Sequence, residues 1–145
     1  RHVKDRRELT VVTNGLYIAL EFLHLPGVTV VMPGGTLRGA SASLVGDLGD
    51  DCLGRYHVQK GFFGARGLTL GEGLTDVNQY EVALKRRMAE ISREVIAVVD
   101  ASKWGQVALA SFAPLDQVDR VIADTAAPAE MVAALGERGI EVTLV

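Results

Sequence analysis

Glu94-Val95-Ile96-Ala97-Val98-Val99-Asp100-Ala101-Ser102-Lys103-Trp104-Gly105 is the stretch that decides the fold class. A continuous apolar run closed by an aspartate reads as a strand covered on both faces, the pattern of a parallel sheet rather than of a half-solvated one. The polar turn that follows at once is the kind of tip at which an open α/β sheet places its ligands, beyond the C-terminal ends of its strands. Asp100, Ser102 and Lys103 together offer a carboxylate, a hydroxyl and an ammonium, enough to hold a sugar hydroxyl and a phosphate. The same residues also fit a plain strand-to-helix turn in which Asp100 caps the backbone and Lys103 is solvated.

Working outward, short β-branched runs alternate with helix-length amphipathic segments, as in βαβ architectures. The pattern predicts strands at 9–13, 28–32, about 58–63, 94–100, 120–124 and 140–145. It predicts helices at 15–25, 43–56, 78–92, about 106–113 and 128–138. The clearest helix is 78–92, where Tyr80, Leu84, Met88 and Ile91 share one face and Asn78 with Glu81 forms a capping box. Pro128 at the start and Gly139 past the end of the last helix follow the usual asymmetry. The fold class expected is α/β, a mostly parallel twisted sheet with helices on both faces, formed by residues 1–145 as one unit. Residues 1–8 read as the tail of a helix that begins upstream.

The other predicted strand ends are Thr13-Asn14-Gly15, Pro33-Gly34-Gly35, Gly64-Ala65-Arg66-Gly67 and Asp124-Thr125. These small and polar tips can present backbone N–H groups and hydroxyls to an anion. Lys60 through Leu68 superficially matches an RNA-binding RNP1 motif, but Leu68 stands where that motif closes on an aromatic. At least one of Phe62 and Phe63 belongs to the core. Gly71-Glu72-Gly73 is neither GxGxxG nor a Walker loop, so nucleotide binding has no motif behind it. Glu81 and Lys85 can reach a ligand, or simply pair at i,i+4 on a helix surface.

Composition narrows the function classes. A formal charge of −3 is the wrong sign for a surface that grips duplex DNA by itself. The single cysteine, Cys52, excludes an intramolecular disulfide and a CxxC motif, and the three histidines show no ligand spacing, so neither a metal nor a cofactor is expected. No stretch reaches the roughly 18 unbroken apolar residues of a membrane span, and a cytoplasmic location is expected.

In order along the chain, several segments resemble the C-terminal domain of DeoR-type bacterial regulators. They are Leu9-Thr10-Val11-Val12-Thr13-Asn14, Val31-Met32-Pro33-Gly34-Gly35-Thr36-Leu37, Ser43-Leu44-Val45-Gly46, and Gly61-Phe62-Phe63-Gly64-Ala65-Arg66-Gly67-Leu68. To these are added Gly73-Leu74-Thr75 with Glu81 through Met88, the Val98–Gly105 segment, and Val118 through Asp124. The resemblance implies a fold like ribose-5-phosphate isomerases and coenzyme A transferases, used for sensing. It implies a small phosphorylated metabolite as ligand, operator DNA bound through an upstream helix-turn-helix that lies outside this chain, and a homo-oligomer. By position, Thr13, Asn14, Phe63, Gly64, Glu81, Lys85, Asp100 and Lys103 would line the pocket, with no catalytic residue. The family's Asp-x-Gly-Thr-Thr phosphate loop, expected upstream of Leu9, is not in this sequence, and Gly15 stands where a serine commonly follows Thr-Asn. The competing expectations are a sugar-phosphate isomerase with Glu81 as its carboxylate, and a domain that only mediates oligomerisation.

Overall fold

The computed structural model describes residues 8–145. Of the helix tail predicted at 1–8, residues 1–7 lie outside the described residues, and Glu8 takes φ +61°, which is not right-handed helix. The chain divides into two compact units, the first ending at Arg55 and the second spanning Tyr56–Val145.

The first unit carries β1 (Leu9–Val12), α1 (Leu16–Phe22), β2 (Val28–Val31), β3 (Thr36–Arg38), β4 (Ser43–Val45) and α2 (Asp47–Leu53). β1 and β2 pair in parallel, Leu9 opposite Val28 and Val12 opposite Val31, with α1 as the crossover. The helix predicted over 43–56 is a correction. Residues 43–45 are instead a strand, antiparallel to β3, and only Asp47–Leu53 is helical. Two features override the helical pattern. The Leu44 N–H donates to the Asn14 carbonyl at 2.8 Å, which holds this segment extended against the end of β1. Gly46 then takes φ +114°, a backbone that a helix cannot propagate through.

The second unit continues with β5 (Val58–Phe63), β6 (Gly67–Thr69), β7 (Gly73–Asp76), α3 (Gln79–Glu90), β8 (Ser92–Val99), β9 (Ala110–Ala113), β10 (Arg120–Ala123), α4 (Ala129–Glu137) and β11 (Glu141–Leu144). Its main sheet is parallel, in the order β11-β10-β8-β5. The α/β class with a mainly parallel sheet is therefore as the sequence pattern indicated. Phe63, Ala97, Val99 and Val121 point into one apolar core that also takes Val82 of α3 and Leu135 of α4. On the other face, Ile96 is buried while Phe62 and Val98 stay exposed. Phe63 is thus the core member of the phenylalanine pair.

A charge ladder crosses the N-terminal half of this sheet. Lys60 Nζ lies 2.7 Å from Glu94 Oε2, Arg120 Nε is 3.8 Å from Glu94 Oε1, and Arg120 Nη2 is 2.8 Å from Glu141 Oε2. One side chain from each of the four strands takes part, which favours this register over a slipped one. The Lys60 hydrogen bond holds the Glu94 carboxyl below the usual carboxylate range, with the Lys60 and Arg120 charges adding to the effect.

A second sheet, β6-β7-β9, is antiparallel. The helix predicted at about 106–113 is the other correction, because residues 110–113 form β9. The Ala108 N–H donates to Thr75 Oγ1 at 2.9 Å, and Asp76 pairs with Ala110. An available strand edge thus captures a segment whose local pattern also suits a helix. Gly67 makes the close approach possible, since a Cβ there would lie 2.1 Å from the Gln106 carbonyl oxygen. α3 keeps its predicted cap, Asn78 Oδ1 accepting from Tyr80 N at 3.1 Å and Glu81 N at 3.2 Å. Its buried side is Val82, Leu84 and Ala89, while Tyr80 faces solvent instead of joining the apolar face.

Candidate ligand site at the strand tips

β5, β8 and β10 are adjacent and parallel, so the turns that follow them open on one edge of the sheet. Adjacent strands run about 4.8 Å apart, which sets the spacing of the tips. Of the residues proposed from sequence, Phe63, Gly64, Asp100 and Lys103 stand on these turns or at their roots. Lys85 reaches the first turn from α3.

Lys85 is committed. Its ammonium donates to Asp76 Oδ2 at 2.5 Å and to the Gly64 carbonyl at 2.8 Å, and it lies 5.1 Å from the centre of the Phe112 ring. Phe112 in turn sits 6.1 Å from Phe63, centroid to centroid. Asp76 is 4% exposed and accepts a further bond from Val77 N at 2.7 Å. Sequence reading missed Asp76, because Gly71 through Asp76 looked like a loop before a helix. In the fold, Gly73–Asp76 is a fully buried strand, and a buried carboxylate needs a charge partner. Glu81 stands one turn before Lys85 on the same helix, half-buried.

The turn after β8 is a short 3-10 helix, Ala101–Lys103, capped by Asp100. Asp100 Oδ1 accepts from Ser102 N at 2.8 Å and from the Ser102 hydroxyl. Lys103 Nζ donates to Ser102 Oγ at 2.9 Å and lies 3.7 Å from Asp100 Oδ2. These contacts hold the Asp100 carboxyl below its ordinary range, the Ser102 hydroxyl bond first, the Ser102 N–H next, and the Lys103 charge after them. From the neighbouring strand end, Asp124 Oδ2 accepts from Ala101 N at 2.9 Å and Oδ1 accepts from Ala126 N at 2.9 Å. Asp124 therefore stitches the β8 and β10 turns together. Trp104, which follows Lys103, is 5% exposed, and its buried indole N–H meets no acceptor among the described residues.

Thr13 and Asn14 belong to the first unit and have structural partners there. Thr13 Oγ1 accepts from Gly15 N at 3.1 Å, and Asn14 Nδ2 donates to the Leu44 carbonyl at 3.3 Å. An open groove lined by Leu9, Thr10, Val28 and Thr29 lies at the N-terminal ends of β1 and β2, the opposite end from Thr13 and Asn14. Ligand sites of open α/β sheets form at C-terminal ends, so that groove is set aside. Among the described residues no group of three or more His, Cys, Asp or Glu is placed to hold a metal ion. No helix among them is long and apolar enough to cross a membrane.

The main parallel sheet carries a lysine, a serine and two aspartates at the turns that follow β8 and β10, the build of an α/β domain. The family is set by comparison: residues 1–125 match the model of the DeoR C terminal sensor domain, and the chain belongs to that family. It is 36% identical over 95% of its length to YulB of Bacillus subtilis (strain 168), described as an uncharacterized HTH-type transcriptional regulator, and covers 54% of it. It is 33% identical over its whole length to a putative aga operon transcriptional repressor of Escherichia coli O157:H7, again covering 54%. It is 29% identical over 97% of its length to the glycerol-3-phosphate regulon repressor of Escherichia coli (strain K12), covering 56%. The chain thus spans about half the length of the curated relatives it matches. These relatives are named as regulators, which agrees with a sensor domain rather than an isomerase.

Proposed function

We propose that this domain binds a small phosphorylated sugar or related metabolite beyond the C-terminal ends of β5, β8 and β10. In the longer protein, binding alters operator affinity of a helix-turn-helix domain that precedes it, acting in the cytoplasm as a homo-oligomer. The observation that carries the reading is the Asp100-Ser102-Lys103 constellation, an ammonium, a hydroxyl and a carboxylate held in one geometry at the tip of a buried strand. One relative supports the ligand class, being named as the repressor of a glycerol-3-phosphate regulon. A ligand shifts DNA affinity only by as much as it prefers one conformation, so the coupling is read as a ratio of affinities.

The test measures operator binding by the full-length protein with and without a panel of sugar phosphates, for wild type and Lys103→Ala. The expected result is that one sugar phosphate changes operator affinity by about 5- to 150-fold in wild type and far less in the variant. A folded variant with the full response would remove Lys103 from the site. A panel without effect on wild type would overturn the sensor reading.

A further inference from the structure

The turn that carries Asp100, Ser102 and Lys103 is too short to orient itself. It is a 3-10 helix of three residues, Ala101–Lys103, and the first N–H groups of any helix lack partners within it. Two of its donors are answered locally. Ser102 N donates to Asp100 Oδ1 at 2.8 Å and Lys103 N to the Asp100 carbonyl at 3.0 Å. The Lys103 ammonium also bonds inside the turn, to Ser102 Oγ at 2.9 Å, so it goes where the turn goes. These contacts fix the turn's internal shape and leave its direction relative to the sheet open. Its exit is anchored by the buried Trp104 and by Gly105 N, which donates to the Leu68 carbonyl at 2.8 Å. Its entrance is Ala101 N, and the acceptor there lies 23 residues away, Asp124 Oδ2 at 2.9 Å.

Asp124 follows Ala123, the last residue of β10, and Ala123 pairs in parallel with Val99, the last residue of β8. The two chains therefore leave the sheet at the same level, within reach of one short side chain. The other carboxylate oxygen, Oδ1, accepts from Ala126 N at 2.9 Å, and the Asp124 carbonyl accepts from Ala127 N at 3.2 Å. The carboxylate is thus held by its own turn while it grips the neighbouring one, and both of its oxygens are engaged by main-chain N–H groups. An N–H donated to a carboxylate makes a bond roughly twice as strong as a neutral one. A turn fixed in this way meets a ligand already in its binding geometry, whereas a loose turn has to be ordered on binding, at a cost in affinity. The same two strands carry a second tie of this kind at their other ends, where Val95 N donates to Asp119 Oδ2 at 2.7 Å. Asp119 stands just before β10, roughly 16 Å from Asp124 along the strand.

Resting on the sensor reading above, we propose that Asp124 is a positioning residue for the effector. It fixes the entrance of the Lys103 turn against β10, so that the ammonium and the Ser102 hydroxyl are presented in one orientation. Asp119 makes the matching bond at the far ends of the same strands and serves only to join them.

The test titrates ribose 5-phosphate, glycerol 3-phosphate and glucose 6-phosphate into the full-length protein by calorimetry, alongside melting temperatures. Asp124→Asn keeps the size of the side chain but leaves one acceptor oxygen for two N–H groups. It should weaken the tightest of the three probes about five- to thirtyfold, the lower part of what a hydrogen bond to a charged group is worth, because the exit of the turn stays anchored. Asp124→Ser, whose hydroxyl reaches its own turn but not both, should do the same and covers the case in which the first variant does not fold. Asp119→Asn, the matched control, should lower the melting temperature by a similar amount and change the affinity less than twofold. If Asp124→Asn or Asp124→Ser binds like wild type while Lys103→Ala does not, the positioning role falls and the sensor reading stands. Equal weakening by Asp119→Asn would show that joining the strands is all that either aspartate does, with the same consequence. If wild type binds none of the three probes, both readings fall.

Discussion

Deleting the charge of Lys85 should cost this domain more than deleting the charge of Asp76. The reason is the asymmetry of the pair's surroundings. The Asp76 side chain is 6% exposed and that of Lys85 22%. Lys85→Met leaves a carboxylate with one remaining donor, the Val77 N–H at 2.7 Å, and almost no water. Uncompensated buried charges of this kind cost about 3–5 kcal/mol. Asp76→Asn leaves an ammonium that still donates to the Gly64 carbonyl, still lies over the Phe112 ring, and still reaches solvent at one side. Its cost should be about 1–3 kcal/mol, the loss of one charged hydrogen bond. The double variant should be milder than Lys85→Met alone, since neither charge is then orphaned, with a coupling of up to about 3 kcal/mol. Urea unfolding followed by Trp104, the only tryptophan and a buried one, reads all three directly. An Asp76→Asn cost equal to or above that of Lys85→Met would refute the reasoning. So would strict additivity in the double variant.

Asn78→Ala removes the acceptor of the Tyr80 and Glu81 N–H groups and should lower stability by about 0.5–2 kcal/mol, seen as an earlier urea midpoint with unchanged slope. Gly67→Ala drives a methyl against the Gln106 carbonyl, part of the backbone, and should cost about 1–3 kcal/mol or more, checked by the same unfolding curve. An NMR titration of the Asp100 carboxyl should find its midpoint below the ordinary aspartate value, and Ser102→Ala should raise it, because the Ser102 bonds are the leading cause of the depression. With the folded midpoint depressed, the turn's contribution to stability is present above the unfolded aspartate value and disappears as pH falls through the lower one. An Asp100 midpoint unmoved by Ser102→Ala would show that Lys103 dominates instead.

The sequence by itself determined the elements whose signal is local. Short runs rich in β-branched and other apolar residues marked β1, β2, β5, β8, β10 and β11 within a residue or two, because the apolar side chains a strand sets on its sheet lie close together along its own length. Asn78 marked the start of α3, since a cap is a contact between residues two and three apart. The order of short motifs marked the family. Tertiary structure decided what depends on distant partners. Residues 43–45 and 110–113 carry a helix-compatible pattern, yet both became strands because an edge or carbonyl elsewhere in the chain was free to pair. Lys85 looked like half of an i,i+4 pair and is instead the counter-charge of Asp76, nine residues earlier, on a strand that sequence presented as a loop. Beside Lys103, folding brought Asp124 of the next strand end to the same turn, where its carboxylate accepts from Ala101 N. Periodicity and capping are short-range and leave a trace in composition, whereas register and charge pairing are settled only when separate segments meet.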